Sequence, residues 1–305
     1  MLYLNKIVNL RLFFDLRGAI SVEEKIVVTY DSGLDVDPEI VKKYNIKKLP
    51  VIIKLGVNET LDDGSIAPDE IIEYFKQEND LAVTAPPTVQ DIFRFFTKFA
   101  HMGYTVIHIS TSSKLSSSFE YAKSAAESFN KIHVIDSKAY SVGGMPIILK
   151  AAEMVEEGRR SEEIVEQCTN LANRIKMYIL IGNVKYVHTS GQISFGKNAL
   201  LSLLGRIPSV SIEDGYFYVQ KNYPNNLEKA AIKFVDDILK DARGLDRSHF
   251  YLGHTGISDS ILEDCRKEVN QVSDFDSIMT LRCGCSTTTH YGDSGLLLAW
   301  VEKEA

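Results

Sequence analysis

The feature that most limits the possible folds is an alternation of strand-type and helix-type patterns running from residue 25 to residue 157. Residues 26–30, 48–54, 104–109 and 131–135 are short apolar or β-branched runs bounded by turn residues, which is how buried strands read. Between and after them, residues 38–44, 67–77, 89–101, 119 onward and 143–157 place apolar side chains at helical spacing. Residues 58–64 read as a polar turn and 81–84 as a short extended piece. Strands separated by helices of this length stack in parallel with helices on both faces. The expectation is an α/β fold on a parallel sheet, in which ligands sit outside the carboxyl ends of the strands.

Hydroxyls crowd that edge. Ser110, Thr111, Ser112, Ser113, Ser116, Ser117 and Ser118 fill the turn between the 104–109 strand and the helix beginning near Phe119. A second hydroxyl turn, Thr84-Ala85-Pro86-Pro87-Thr88, precedes the helix at 89–101. A helix N-terminus carries unpaired N–H groups and partial positive charge, so such a corner can hold an anion. Ser and Thr are equally ordinary N-caps. Two such turns converging on one ligand would give both a use.

The overall field offers an anion no help, because the formal net charge is -7. Any anion site must therefore be built from local donors. The same charge, with no cluster of Lys and Arg, excludes nucleic acid as the expected partner. Cys168, Cys265, Cys283 and Cys285 form no C-x-x-C pair, and the C-x-C at 283–285 has no His or Cys partner at zinc spacing. Neither a structural disulfide nor a metal site is expected, and the compartment reads as reducing and cytoplasmic. No apolar run is long enough to span a membrane. Within residues 1–24, Arg11, Asp15 and Arg17 interrupt what would be the apolar core of a signal peptide, so this stretch reads as an amphipathic extension or a mis-set start.

The second half has a different texture. Residues 177–182, 208–212, 216–220, 248–254, 274–281 and 296–301 read as strands, and 225–242 and 258–270 as helices. Glu213-Asp214-Gly215 is a hairpin turn signal. This is an α+β half containing antiparallel strands, so the expected organisation is an extension at 1–24, a parallel-sheet domain at 25–160 and a second domain at 161–305.

Six stretches then carry a resemblance. They are V-T-Y-D-S-G-L-D at 28–35, V-T-A-P-P-T at 83–88, I-S-T-S-S-K-L-S-S-S-F at 109–119, V-I-D-S-K-A-Y-S-V-G-G at 134–144, S-G-Q-I at 190–193 and H-Y-G-D-S-G at 290–295. In this order the chain resembles the DegV family, whose members bind long-chain fatty acids. The resemblance implies a Rossmann-like domain beside a smaller α/β domain, with an acyl chain in a tunnel at their interface. It implies a non-catalytic protein with no cofactor other than the bound fatty acid, presenting that acid to a separate fatty acid kinase for acyl-phosphate formation and phospholipid synthesis. Carried over residue by residue, the carboxylate contacts fall on Thr84, Ser112 or Ser113, and His290, with Ser116 and Gln192 as secondary candidates. His290 is placed at a strand start and is expected to favour its charged form beside a bound anion. Three positions depart from the family pattern: Ala85 where a serine is usual, Ser117 where a glycine is frequent, and Gln192 where an arginine is common.

The competing reading is a serine-dependent hydrolase or phosphotransferase using the central loop, with His108 or His290 as base. The sequence has neither a G-x-S-x-G elbow nor a Walker loop to support it. A regulatory protein with a structural ligand is a third possibility.

Overall fold

The computed structural model describes residues 24–186 and 205–304. In the first half the strands are β1 (Ile26–Asp31), β2 (Lys47–Leu49), β3 (Ile52–Leu55), β4 (Asn58–Leu61), β5 (Val83–Ala85), β6 (Thr105–Ser110) and β7 (Ile132–Asp136). The helices among them are α1 (Pro38–Lys43), α2 (Pro68–Glu78), α3 (Val89–His101) and α4 (Ser118–Ala126). After β7 come a 3-10 turn at Ser141–Gly144 and the helices α5 (Met145–Glu156) and α6 (Ser161–Ala172). The second half holds β8 (Ile175–Ile181), β9 (Arg206–Glu213), β10 (Tyr216–Pro224), α7 (Leu227–Asp241), β11 (Phe250–His254), α8 (Asp259–Val272), β12 (Ile278–Arg282), α9 (Cys285–Tyr291) and β13 (Gly295–Val301).

Among the described residues these strands form three sheets. The expected parallel sheet has the order β2-β1-β6-β7, all pairs parallel. The second sheet has the order β10-β9-β8-β13-β11-β12, antiparallel except for the β11–β12 pair. A small antiparallel sheet, β4-β3-β5, stands apart from both.

Alternation along the strands turns the two large sheets into layers. Val27 and Val106 face α3 and α4, while Val28, Tyr30, Ile107 and Ile109 face the other way, into a core shared with α5 and α6. That same core receives Ile179, Val210, Leu297 and Ala299 from the second sheet. The sheet's opposite face, through Leu296, Leu298 and Trp300, packs on α7 and α8. Helices α5 and α6 thus form a middle layer between two sheets, and α5 is accordingly apolar nearly all round, with Met145, Ile147, Ile148, Leu149, Ala151 and Met154 buried. Helix α6 begins at Ser161, just past the expected domain division, yet its Ile164, Cys168 and Leu171 sit in the shared core with β1 and β6.

The structure corrects several sequence expectations. The single strand expected at 48–54 is two strands in two sheets, separated at Pro50, whose missing N–H cannot continue a ladder. The polar turn expected at 58–64 contains the edge strand β4. The strand expected at 274–281 is confined to Ile278–Arg282. His290 lies in the last turn of α9 and not at a strand start. The expected hairpin is present: Asp214 and Gly215 have φ of 48° and 84°, the doubly positive pattern of a type I′ turn, between β9 and β10.

Candidate functional site

The carboxyl ends of β1 and β6 are organised by a buried acid. Asp31 Oδ2 accepts from Ser110 Oγ at 2.7 Å and from the Thr111 amide at 2.8 Å. Its Oδ1 accepts from the Gly33 amide at 3.1 Å and from Thr111 Oγ1. Burial pushes this carboxyl up, against the opposing pull of the four donors. Asp136, at the end of β7, does the same on a smaller scale, accepting from the amides of Ser113 at 3.1 Å and Lys138 at 3.0 Å. The central loop is therefore pinned from both sides, and its first hydroxyls are used for the pinning.

A second pair of acids fixes α9. Asp35 Oδ1 accepts from the Gly284 amide at 2.7 Å, and Oδ2 from Thr287 Oγ1 at 2.6 Å and Ser141 Oγ at 2.5 Å. Asp62 accepts from the Ser286 amide at 3.3 Å. Carboxylates at the start of a helix satisfy orphan N–H groups and complement its dipole. They stabilise a helix whose Ser286-Thr287-Thr288-Thr289 run has weak helical propensity. At its far end α9 delivers His290.

Between β5, the central loop and α9 lies a cavity of about 210 Å³. Thr84, Ser116, Tyr140, Ser286 and His290 line it, with Val51 and Leu115 among its apolar neighbours. Thr84 Oγ1 stands 3.0 Å from His290 Nε2. Burial pushes the imidazole down to about 4, so His290 is neutral at physiological pH and meets a ligand as a hydrogen-bonding group, not as a cation. The expectation of a charged His290 belongs to a ligand-loaded state alone.

Of the residues expected to touch a ligand, the structure brings Thr84, His290 and Ser116 to one cavity. Ser112 and Ser113 are not on its wall. Ser112 Oγ donates to the Gly215 carbonyl at 3.1 Å and accepts from the Lys114 amide at 3.2 Å, which turns it toward the β9–β10 hairpin. Ser113 is held through its amide on Asp136. In their place the loop offers Thr111, Ser116, Ser117 and Ser118 to the cavity. Ser116 Oγ shares a hydrogen bond with Ser118 Oγ at 2.9 Å. Gln192 and its S-G-Q-I neighbours lie outside the described residues.

His108 does not serve the cavity. It is fully buried on the α3 face of β6, edge-on to Phe96 at 5.3 Å, with Nδ1 2.9 Å from Thr29 Oγ1. Desolvation pushes it down to about 3. Among the described residues no serine of the central loop hydrogen-bonds either histidine. Nor does any described cluster of His, Cys, Asp or Glu suit a metal ion. The four cysteines are free and buried. No described helix is long and apolar enough to cross a membrane.

Sequence reasoning passed over Tyr140, Asp35 and Ser286. Asp35 and Tyr140 both lay inside quoted stretches, and an aromatic residue within the polar D-S-K-A-Y-S turn is the one signal that could have drawn attention to Tyr140.

The fold and cavity together define an α/β protein built on two large sheets and one small one, with a recessed, hydroxyl- and imidazole-lined cavity at the carboxyl edge of its parallel sheet. The chain belongs to the DegV family, matching the model of that family of uncharacterised proteins over residues 25–303. It is 30% identical over 288 residues to a DegV domain-containing protein of Clostridium perfringens, covering 92% of this chain and 99% of the relative. Among solved structures it is similar to a DegV family protein from Thermus thermophilus described by its fatty acid binding, with TM-score 0.82, 21% identity and coverage of 91% of this chain and 99% of that one. It is also similar to the fatty acid kinase B3 protein of Streptococcus pneumoniae loaded with linoleic acid, with TM-score 0.79, 18% identity and coverage of 92% and 100%.

Proposed function

We propose that this protein binds a long-chain fatty acid, with the carboxylate at the Thr84–His290 pair and the acyl chain running between the two halves of the molecule. The observation that carries the reading is that pair, brought to 3.0 Å across 206 residues of sequence in a cavity whose other polar groups are hydroxyls. A carboxylate accepts up to about four hydrogen bonds, and bonds to an ionised acceptor are roughly twice as strong as neutral ones. Thr84, His290 and the Ser116 region supply donors of the required kind. The fatty acid binding of the Thermus protein and the linoleic acid in the Streptococcus protein, both of the same fold, support a fatty acid as the ligand.

At about 210 Å³ the cavity is smaller than the roughly 300 Å³ at which ligand pockets usually begin. It accommodates the head group, and the acyl chain enters by parting the adjoining apolar layers. Each methylene so buried contributes about 0.8 kcal/mol, so the tail supplies most of the affinity and the cavity the orientation. In this reading the protein performs no chemistry of its own. It presents the acid to a separate kinase, and Gln192, standing where an arginine is common in the family, brings no positive charge to that step.

The test is mass spectrometry of the organic extract of protein purified without added lipid, beside native mass spectrometry of the intact chain. A stoichiometric long-chain acid is expected. An empty protein that also fails to take up labelled palmitate or oleate would remove the reading.

A further inference from the structure

Tyr140 is a wall residue of the cavity whose polar group has no partner. Its side chain is 1% exposed, and its hydroxyl makes no hydrogen bond. The hydroxyls of Thr287 and Ser286 are near enough to favour its ionised form slightly but stand outside hydrogen-bond geometry, and Thr287 already donates to Asp35 at 2.6 Å. Buried hydroxyls are almost always paired, because leaving one unmade forfeits its hydration with nothing in return.

The backbone around it is held against its own preferences. Lys138 and Ser141 flank Tyr140 with φ of 52° and 50°, a region that residues with side chains seldom adopt. Ser141 is fixed there by its amide on the Gly33 carbonyl at 2.9 Å, by its carbonyl accepting from the Asp35 amide at 3.1 Å, and by its hydroxyl on the Asp35 carboxylate. Strained residues of this kind persist where their surroundings over-determine them, and they gather at ligand sites. The result places the Tyr140 ring edge-on to His290, with centroids 5.9 Å apart and planes at 72°. A phenylalanine would fill the same space and make the same ring contact without an unpaired hydroxyl.

We infer that the Tyr140 hydroxyl is a donor to the ligand's head group, acting beside Thr84 and His290, and that it tunes the site toward carboxylate over ester head groups. The inference rests on the fatty-acid reading of the cavity. A carboxylate offers acceptor lone pairs to several donors at once and carries charge that strengthens each bond, whereas an ester carbonyl has neither the charge nor the second equivalent oxygen. The phenol stays protonated, since burial pushes it well above its ordinary range, so it can only donate to an anion.

The experiment compares wild type, Tyr140→Phe and Thr84→Val in the full chain, measuring affinity for palmitate and for methyl palmitate together with the melting temperature without ligand. Tyr140→Phe is expected to melt at or above the wild-type temperature, to lose about tenfold in palmitate affinity, and to bind the methyl ester within about twofold of wild type. Unchanged palmitate affinity in Tyr140→Phe, with Thr84→Val weakened, would overturn the inference and leave the fatty-acid reading standing. A lower melting temperature for Tyr140→Phe would also overturn it, because the hydroxyl would then be satisfied within the protein. Wild-type protein that binds neither lipid would remove both.

Discussion

Two groups of hydroxyls meet at the carboxyl edge of the parallel sheet, and they differ in what their donors do. Around Asp31, the hydroxyls of Ser110 and Thr111 and the amides of Thr111 and Gly33 are all spent on one buried carboxylate. Around Thr84 and His290, the hydroxyls of Ser116, Ser117, Ser286 and Tyr140 border an opening instead. The residue types are the same. The difference is whether the protein supplies the acceptor itself, and it teaches that a hydroxyl-rich loop is a site only where no internal acid claims its donors.

The largest expected effect breaks the first group. In Asp31→Asn, the two oxygens that now accept the Gly33 and Thr111 amides become one oxygen and one NH2. Whichever way the amide is turned, a donor faces a backbone donor in a site with no access to water. A loss of about 3 kcal/mol or more is expected in urea unfolding, the scale on which disrupted buried charged networks operate. A loss below about 1 kcal/mol would mean that Asp31 does not organise this edge.

Acid should distinguish the two regions next. His108 belongs to the sheet interior and is pushed down to about 3, and His290 belongs to the cavity and is pushed down to about 4. For a base with a depressed folded pKa, the unfolded chain takes up the proton first. The stability these neutral imidazoles allow is therefore fully present above about pH 6.5 and is lost as pH falls from there toward about 3 for His108 and about 4 for His290. Each costs roughly 1.4 kcal/mol per pH unit within its window, or about 2 kcal/mol by pH 5. A bound carboxylate lifts only the histidine it touches, so palmitate should remove His290's share of the acid loss and leave that of His108. Urea midpoints at pH 7.5 and pH 5, with and without palmitate, measure this; equal pH slopes in both would place the ligand away from His290.

What the sequence disclosed and what it withheld divide along the range of the forces involved. Strands β1 and β6, the helix α3 and the Asp214-Gly215 turn are written in local pattern, and each forms where the pattern puts it. The hydroxyls of the Thr84 turn stood out locally, but its joining with His290 in one site was reachable only through the family resemblance, because nothing local connects positions 206 apart. The α9 helix was illegible for the same reason. A Ser-Thr-Thr-Thr run is a poor helix former, and the carboxylate of Asp35 that starts it lies 249 residues away from Gly284. The division of 48–54 into two strands depended on which sheet each half could join, a choice made by tertiary pairing and only hinted at by Pro50. Ser112 and Ser113 carried the right chemistry for a ligand contact, but a side chain's direction is set by neighbours that the local sequence does not name.

That last point yields the smallest and most discriminating comparison. Ser112 Oγ bridges the Gly215 carbonyl and the Lys114 amide, and the hairpin approaches so closely that a Cβ built on Gly215 would stand 2.4 Å from that hydroxyl. Ser112→Ala should therefore cost about 1 kcal/mol of stability by leaving the carbonyl and amide unpaired, with palmitate affinity within about twofold of wild type. Ser116 lines the cavity, and its bonds are to the side chain and amide of Ser118, which is buried at the start of α4. Ser116→Ala should shift the balance the other way, with a stability loss no greater than that of Ser112→Ala and a several-fold weaker affinity. Calorimetric titration and urea unfolding of the two variants read both quantities. Should Ser112→Ala be the variant that loses affinity, the carry-over from the family would hold in the bound state. The Ser112–Gly215 bond would then have to open when the acid enters, making the β9–β10 hairpin responsive to the ligand.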